Sequence, residues 1–190
     1  MLRRAIIIYF AFCMHNKRTA DMNTRIKATF FQRDVLEVAP ELLGKILVRR
    51  YNNQEVQRYR ITEVEAYRGN EDLACHASKG RTPRTEIMFH PGGRVYVYLI
   101  YGMYWMLNFV TGNTDASAVL IRGLENISGP GRVGKALKLD KSFYGENLEV
   151  SNRIWLEDSA EKTSYISTPR VGIDYAGEPW ISKPWRFVVQ

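Results

Sequence analysis

The chain has 190 residues and a mass of 22.0 kDa, with 45% hydrophobic and 25% charged residues, which suits one globular domain with a real core. No apolar stretch reaches the roughly 18 residues of a membrane helix. Cys13 and Cys75 give neither a disulfide framework nor spaced zinc ligands, His15, His76 and His90 are scattered, and neither C-x-x-C nor H-E-x-x-H occurs, so no metal is expected.

The net charge of +7 is unevenly placed. Residues 1–60 hold 12 Lys/Arg against 5 Asp/Glu, and the remainder is balanced at 15 against 15. A basic front with a neutral body fits a phosphate-tracking surface beside a neutral reaction pocket. A solvated basic surface is the plainer alternative.

"MLRRAIIIYFAFCM" is similar to the start of a signal peptide, but its apolar run is only about ten residues and no small-residue cleavage site follows. Met22 opens "MNTRIKATFF", which reads as a natural beginning. Residues 1–21 are therefore expected to be a disordered tail or the product of a misassigned start, and residues 22–190 the folded domain.

"RDVLEVAPELLGKILVRR" predicts a short helix, a stop at Gly44 and a strand from Lys45. Val56 to Tyr67 alternates as a second strand. Period-two geometry puts Gln57, Tyr59, Ile61, Glu63, Glu65 and Tyr67 on one face. A loop follows, with a helical turn expected around Glu71–Ala77. "GGRVYVYLIYGMYWMLNFV" predicts a hairpin turning at Tyr101-Gly102-Met103. "SAVLIRGL" is another strand. Ser128 as N-cap and Pro130 in the first turn predict a helix to about Leu139. "NRIWLED", "RVGI" and "PWRFVVQ" read as closing strands. The sum is a single-domain α+β fold: a curved, mostly antiparallel β-sheet, an inserting β-hairpin and surrounding short helices.

Three features bear on chemistry. "GPGRVGKA" nearly matches a nucleotide phosphate loop, but Ala136 stands where the magnesium-binding hydroxyl would be and Pro130 lacks a backbone donor. An NTPase is rejected. Arg132 and Lys135, near a helix N-terminus, can still hold a nucleic-acid phosphate; an ordinary capped helix is the other reading. Glu65, with Tyr67 on its face and His76 on a following loop, suits general-base chemistry on an aromatic substrate. The alternative is an edge strand with solvated carboxylates. "YVYLIYGMYW" carries five aromatics in ten residues. Core packing explains most such runs, yet Tyr101 falls at the hairpin tip, where an exposed aromatic wedge could enter a base stack.

Taken together, "VEAYRGNEDLACHASKGRTPR", "MFHPGGRVYVYLIYGMYWMLNFV", "AVLIRG", "SGPGRVGKAL" and "RVGIDYAGE" resemble the alkyladenine (3-methyladenine) DNA glycosylase family in order and spacing, from about Thr29 to Val189. The resemblance implies a monofunctional base-excision enzyme that flips a damaged purine from double-stranded DNA and hydrolyses its N-glycosidic bond. By motif, Glu65 resembles the general base. Arg122 resembles the residue that helps hold the water, and Val171 the one offering it a backbone carbonyl. Tyr67, His76 and Tyr98 resemble the residues that sandwich and hydrogen-bond the flipped base. Asn108 resembles the side chain that keeps normal guanine out, and Tyr101 the intercalating wedge. No lysine adjoins Glu65, so no strand-cleaving lyase activity is expected. Water is the only co-reactant and no cofactor is expected. The protein is expected to be an intracellular monomer working with the chromosome (in the cytoplasm if prokaryotic) and no membrane. One departure stands out. Arg122-Gly123-Leu124-Glu125 reaches Gly129 in a few residues, where the family usually carries a longer segment. The rival reading is therefore a non-catalytic damaged-DNA binding module of the same fold.

Overall fold

A computed structural model describes residues 25–159 and 163–190. The expected tail, residues 1–21, lies outside the described residues. Among the described residues, no helix is long and apolar enough to cross a membrane.

The elements follow the chain as α1 (Ala28–Phe31), α2 (Val35–Glu41), β1 (Ile46–Arg50), β2 (Val56–Tyr67), β3 (Val95–Ile100), β4 (Tyr104–Thr111), β5 (Ser117–Leu124), β6 (Ile127–Ser128), α3 (Pro130–Ala136), β7 (Ile154–Glu157), β8 (Tyr165–Thr168) and β9 (Arg186–Val189), with 3-10 turns between. One curled sheet runs β3-β4-β5-β2-β1-β7. β6 pairs with β5, and β9 joins β2 to β8. Every pairing between these strands is antiparallel. The α+β expectation holds.

Local chemistry explains the main punctuation. Asp34 caps α2, its side chain accepting from the Leu36 N–H at 2.8 Å. Val35, Val38 and Ala39 press the helix onto the sheet core. Gly44 takes φ 82° and turns the chain into β1, as its sequence position suggests. The β3–β4 hairpin turns through Tyr101-Gly102-Met103, as expected. α3 lies so close to β4 that a Cβ on Gly134 would meet the Trp105 carbonyl oxygen at 1.9 Å.

Four expectations change. α3 is capped at Gly129, with no side-chain cap, and ends at Ala136. Ser128 is not its cap because it is already paired with Gly123 in β6. "RVGI" is not a strand: Val171 and Gly172 form a bend, with Gly172 at φ 73°. The strand here is β8, just before it. The helical turn after β2 is a 3-10 helix at His76–Lys79, slightly later than expected. The last change matters most. β2 does not alternate evenly, because its pairing with β5 slips at Ile61/Glu63 and again at Glu63/Val64. Ile61, Val64 and Ala66 all join the core. The bulge therefore separates Ile61 from the face that carries Glu63, Glu65 and Tyr67.

The short connection flagged above is a closed hairpin. Leu124 pairs with Ile127 across Glu125 and Asn126, and Asn126 takes φ 63°, a left-handed conformation that asparagine tolerates.

Candidate active site

Glu65 lies in the half of β2 flanked by both β5 and β9, and its side chain is fully buried. Such a carboxylate is costly unless it is held. Its Oε1 accepts the Val171 backbone N–H at 2.8 Å, and its Oε2 accepts the Tyr67 hydroxyl at 2.8 Å. Arg122 Nε stands 3.3 Å from Oε1. These partners do not fully offset burial. Burial pushes the Glu65 carboxyl above its usual range, against the pull of Arg122, the Val171 N–H and the Tyr67 hydroxyl. With about four acceptor positions on a carboxylate, two hydrogen bonds leave room for a water.

Glu63 lies one pleat back, also buried. Its Oε1 accepts from Arg122 Nε at 2.9 Å and from Arg186 Nε at 2.6 Å. Burial pushes this carboxyl up, but the two guanidiniums outweigh it and hold it below the usual range.

The Val171 bend is held by a second buried ion pair. Arg170 donates to Asp72 Oδ1 through Nη2 at 2.9 Å, and to the Ala66 carbonyl through Nη1 at 2.9 Å. Both side chains are fully buried. The Arg170 guanidinium lies 4.8 Å from the Tyr67 ring centroid and 5.0 Å from that of Trp185.

Beside the carboxylate is a narrow recess of about 40 Å³ lined by Tyr67, His76, Tyr98 and Asn108, with Tyr96 and Cys75 among its other walls. It shares His76, Tyr98 and Tyr175 with an open cleft of about 600 Å³, which also reaches Arg122, Val171, Pro130 and Tyr101. His76 Nδ1 is 2.7 Å from the Tyr96 hydroxyl, and its ring meets Tyr98 nearly edge-on at 4.6 Å. Burial, with Arg84 and Lys79 nearby, pulls the His76 pKa down to about 4, so the ring is neutral at pH 7. Asn108 Nδ2 donates to the Tyr96 carbonyl at 3.1 Å, which fixes the amide against the recess. Tyr101 projects from the hairpin tip with 81% of its surface exposed.

All but two of the residues singled out in the sequence gather at one place. Glu65, Arg122 and Val171 meet directly, while Tyr67, His76, Tyr98 and Asn108 line one recess. Tyr101 borders the same cleft. Arg132 and Lys135 are exposed on α3, outside it. The contact recorded for Val171 is through its N–H, which holds Glu65. Arg170, Asp72 and Arg186 were missed. Asp72 and Arg170 fall inside the quoted motifs, but nothing in their spacing announces a buried pair. Arg186 reaches Glu63 from 123 positions away.

A sequence model of the methylpurine-DNA glycosylase family matches residues 29–129 and 125–190. The chain belongs to that family. The two matched pieces meet at the short β5–β6 turn. A relative from Legionella pneumophila strain Paris is 45% identical, over 85% of this chain and 92% of its own. One from Methanocella arvoryzae is 42% identical, over 83% and 88%, and one from Psychrobacter cryohalolentis 39%, over 84% and 88%. Each is named "Putative 3-methyladenine DNA glycosylase". Methylpurine-DNA glycosylases are hydrolases of N-glycosyl bonds.

Proposed function

We propose that this methylpurine-DNA glycosylase excises alkylated or deaminated purines, of the 3-methyladenine, 7-methylguanine, hypoxanthine and ethenoadenine class, from double-stranded DNA. The observation that carries the reading is Glu65: a fully buried carboxylate held by Tyr67, which lines the aromatic recess, and by Val171 and Arg122, which line the adjoining cleft.

In this reading the damaged nucleotide leaves the duplex, its base enters the cleft of about 600 Å³ where His76 and Tyr98 lie, and the recess of about 40 Å³ opens as the base seats against it. Flipping costs a few kcal/mol, least for damaged or mispaired bases. Stacking on tyrosine returns about 1–3 kcal/mol per base. Tyr101 fills the gap left in the stack. Neutral His76 offers a hydrogen-bonding nitrogen without repelling a cationic base. Asn108, fixed by the Tyr96 carbonyl, crowds the position of a guanine amino group. Arg132 and Lys135 contact phosphates, and the basic character of the chain favours the duplex.

For a purine that alkylation has made cationic, the chemical step needs one base, since the purine leaves neutral. Glu65 takes a proton from water as the water oxygen bonds to C1′. The C1′–N bond breaks, and its electron pair leaves with the purine. Arg122 and the Val171 carbonyl orient the water. A cationic alkylated purine leaves readily, so the second carboxylate of most glycosidases is not required.

The test is free-base release from methylated duplex DNA by the natural protein and by Glu65→Gln. Release by the natural protein alone supports the reading. Equal release by both would sink Glu65 as the base. Tight binding of damaged duplex with no release by either would favour the binding module.

A further inference from the structure

The two carboxylates of β2 have opposite fates although two residues apart. Glu63 is held low and Glu65 high. Burial pushes both carboxyls up, and the difference between them follows how two guanidiniums are shared. Arg122 Nε has one hydrogen. It lies 2.9 Å from Glu63 Oε1 in a hydrogen bond, and 3.3 Å from Glu65 Oε1 as an ion-pair contact. Arg186 Nε donates to the same Glu63 oxygen at 2.6 Å. Arg186 is itself tied to Thr168 Oγ1 at 3.2 Å. The charges alternate along a chain: Arg186, Glu63, Arg122, Glu65.

The strand geometry makes this chain. The bulge at Glu63 sets it on the same side as Glu65 and opposite Gly123. A Cβ on Gly123 would lie 2.9 Å from the Glu63 Cβ. Gly123 therefore leaves room for the bulged carboxylate beside Arg122.

We infer that Glu63, anchored by Arg186, is a positioning residue: it draws the Arg122 guanidinium away from full pairing with Glu65 and so keeps Glu65 free to act as a base. A carboxylate fully paired with arginine is both less basic and short of a free lone pair. Without Glu63, Arg122 has one carboxylate to turn to. The inference rests on the reading of Glu65 as the base.

Other charged and titratable groups face Glu65 from every side. Tyr67 lies on β2, Tyr98 on β3, Arg122 on β5 and Arg186 opposite it in register on β9. Tyr175 lies on the 3-10 turn at 174–176. All remain unchanged in Glu63→Gln. That variant removes one negative neighbour and frees Arg122, and both effects lower the pH at which Glu65 loses its proton. Arg186→Gln does the reverse: a positive neighbour is lost, and Glu63, left with one partner, grips Arg122 harder.

The experiment is the single-turnover excision rate against pH on a duplex with one 7-methylguanine, at saturating enzyme. That base carries a fixed positive charge and needs no protonation to leave, so protonation of the leaving group does not shape the acid limb, and the shifts between variants isolate Glu65 from His76. Natural protein, Glu63→Gln, Arg186→Gln and Glu65→Gln are compared, with a thermal melt of each. The expected result is an acid limb moved down by about one pH unit in Glu63→Gln, with a slower rate above it, and moved up in Arg186→Gln. Unmoved limbs, or limbs moved the same way, with Glu65→Gln inactive, would overturn the inference and leave Glu65 as the base. A fully active Glu65→Gln would instead remove the Glu65 reading, and this inference with it. If Glu63→Gln does not fold, the direction of the Arg186→Gln shift decides alone.

Discussion

The backbone N–H of Val171 lies 2.8 Å from Oε1 of Glu65, joining two segments 106 positions apart. The segment that delivers this N–H is held in place by its neighbour Arg170, which grips Asp72 in a pair with both side chains fully buried. Removing one partner of such a pair leaves a buried charge alone, at about 3–5 kcal/mol. Asp72→Asn is expected to lower unfolding stability by about that amount in a denaturant titration. The fraction still folded is expected to excise more slowly, because Val171 is no longer held against Glu65.

Glu65 works against the stability of the fold. Its pKa is raised, so the native state holds its proton more tightly than the unfolded state does. Ionised Glu65 therefore destabilises the protein above its folded pKa, and the cost vanishes as pH falls below the unfolded value. Glu65→Gln keeps the shape without the charge. At pH 7 it is expected to melt higher, by about 2–4 °C per kcal/mol recovered, while excising nothing. A lower melting temperature would show that the carboxylate's partners outweigh its burial.

His76 gives the opposite sign. Its pKa falls from the ordinary 6.5 to about 4 in the fold. Between those values the unfolded chain takes up a proton that the folded chain refuses. Stability contributed by neutral His76 is fully present above about 6.5 and lost as pH falls to about 4. Denaturant midpoints at pH 7 and pH 4.5 are expected to differ less in His76→Gln than in the natural protein.

Tyr101, the proposed wedge, is a residue the fold can spare. It is 81% exposed and held at φ 52°, outside the usual range for a tyrosine. Tyr101→Ala is expected to change stability by no more than about 0.5 kcal/mol. Its affinity for damaged duplex is expected to drop by about 10- to 100-fold, the scale of one lost stacking contact. Fluorescence anisotropy with a labelled duplex measures this directly.

Much of the site was legible because its parts are local. The spacing of Glu65 and Tyr67 on β2, the hairpin tip at Tyr101 and the stop at Gly44 depend on nearby residues only. The rest depends on tertiary pairing. The bulge that removes Ile61 from the Glu65 face is set by β5, not by β2 itself. Ser128 carries a capping side chain but is committed to β6, so the helix begins on Gly129. Val171 reads as strand by composition, yet its N–H is needed at Glu65, and Gly172 lets the chain bend there.

The two-residue turn at Glu125–Asn126 joins the strand bearing Arg122 to β6, which leads directly into α3 beside the cleft. Its ends are already in register, so this hairpin is a natural splice point. Closing a longer loop over the same ends costs little, about 0.6 kcal/mol for each doubling of length. A segment grafted here would change what touches the duplex beyond the lesion while leaving the reacting carboxylate where it is. On the proposed function, reach along the DNA and bond cleavage are parts that evolution, or an engineer, can exchange separately.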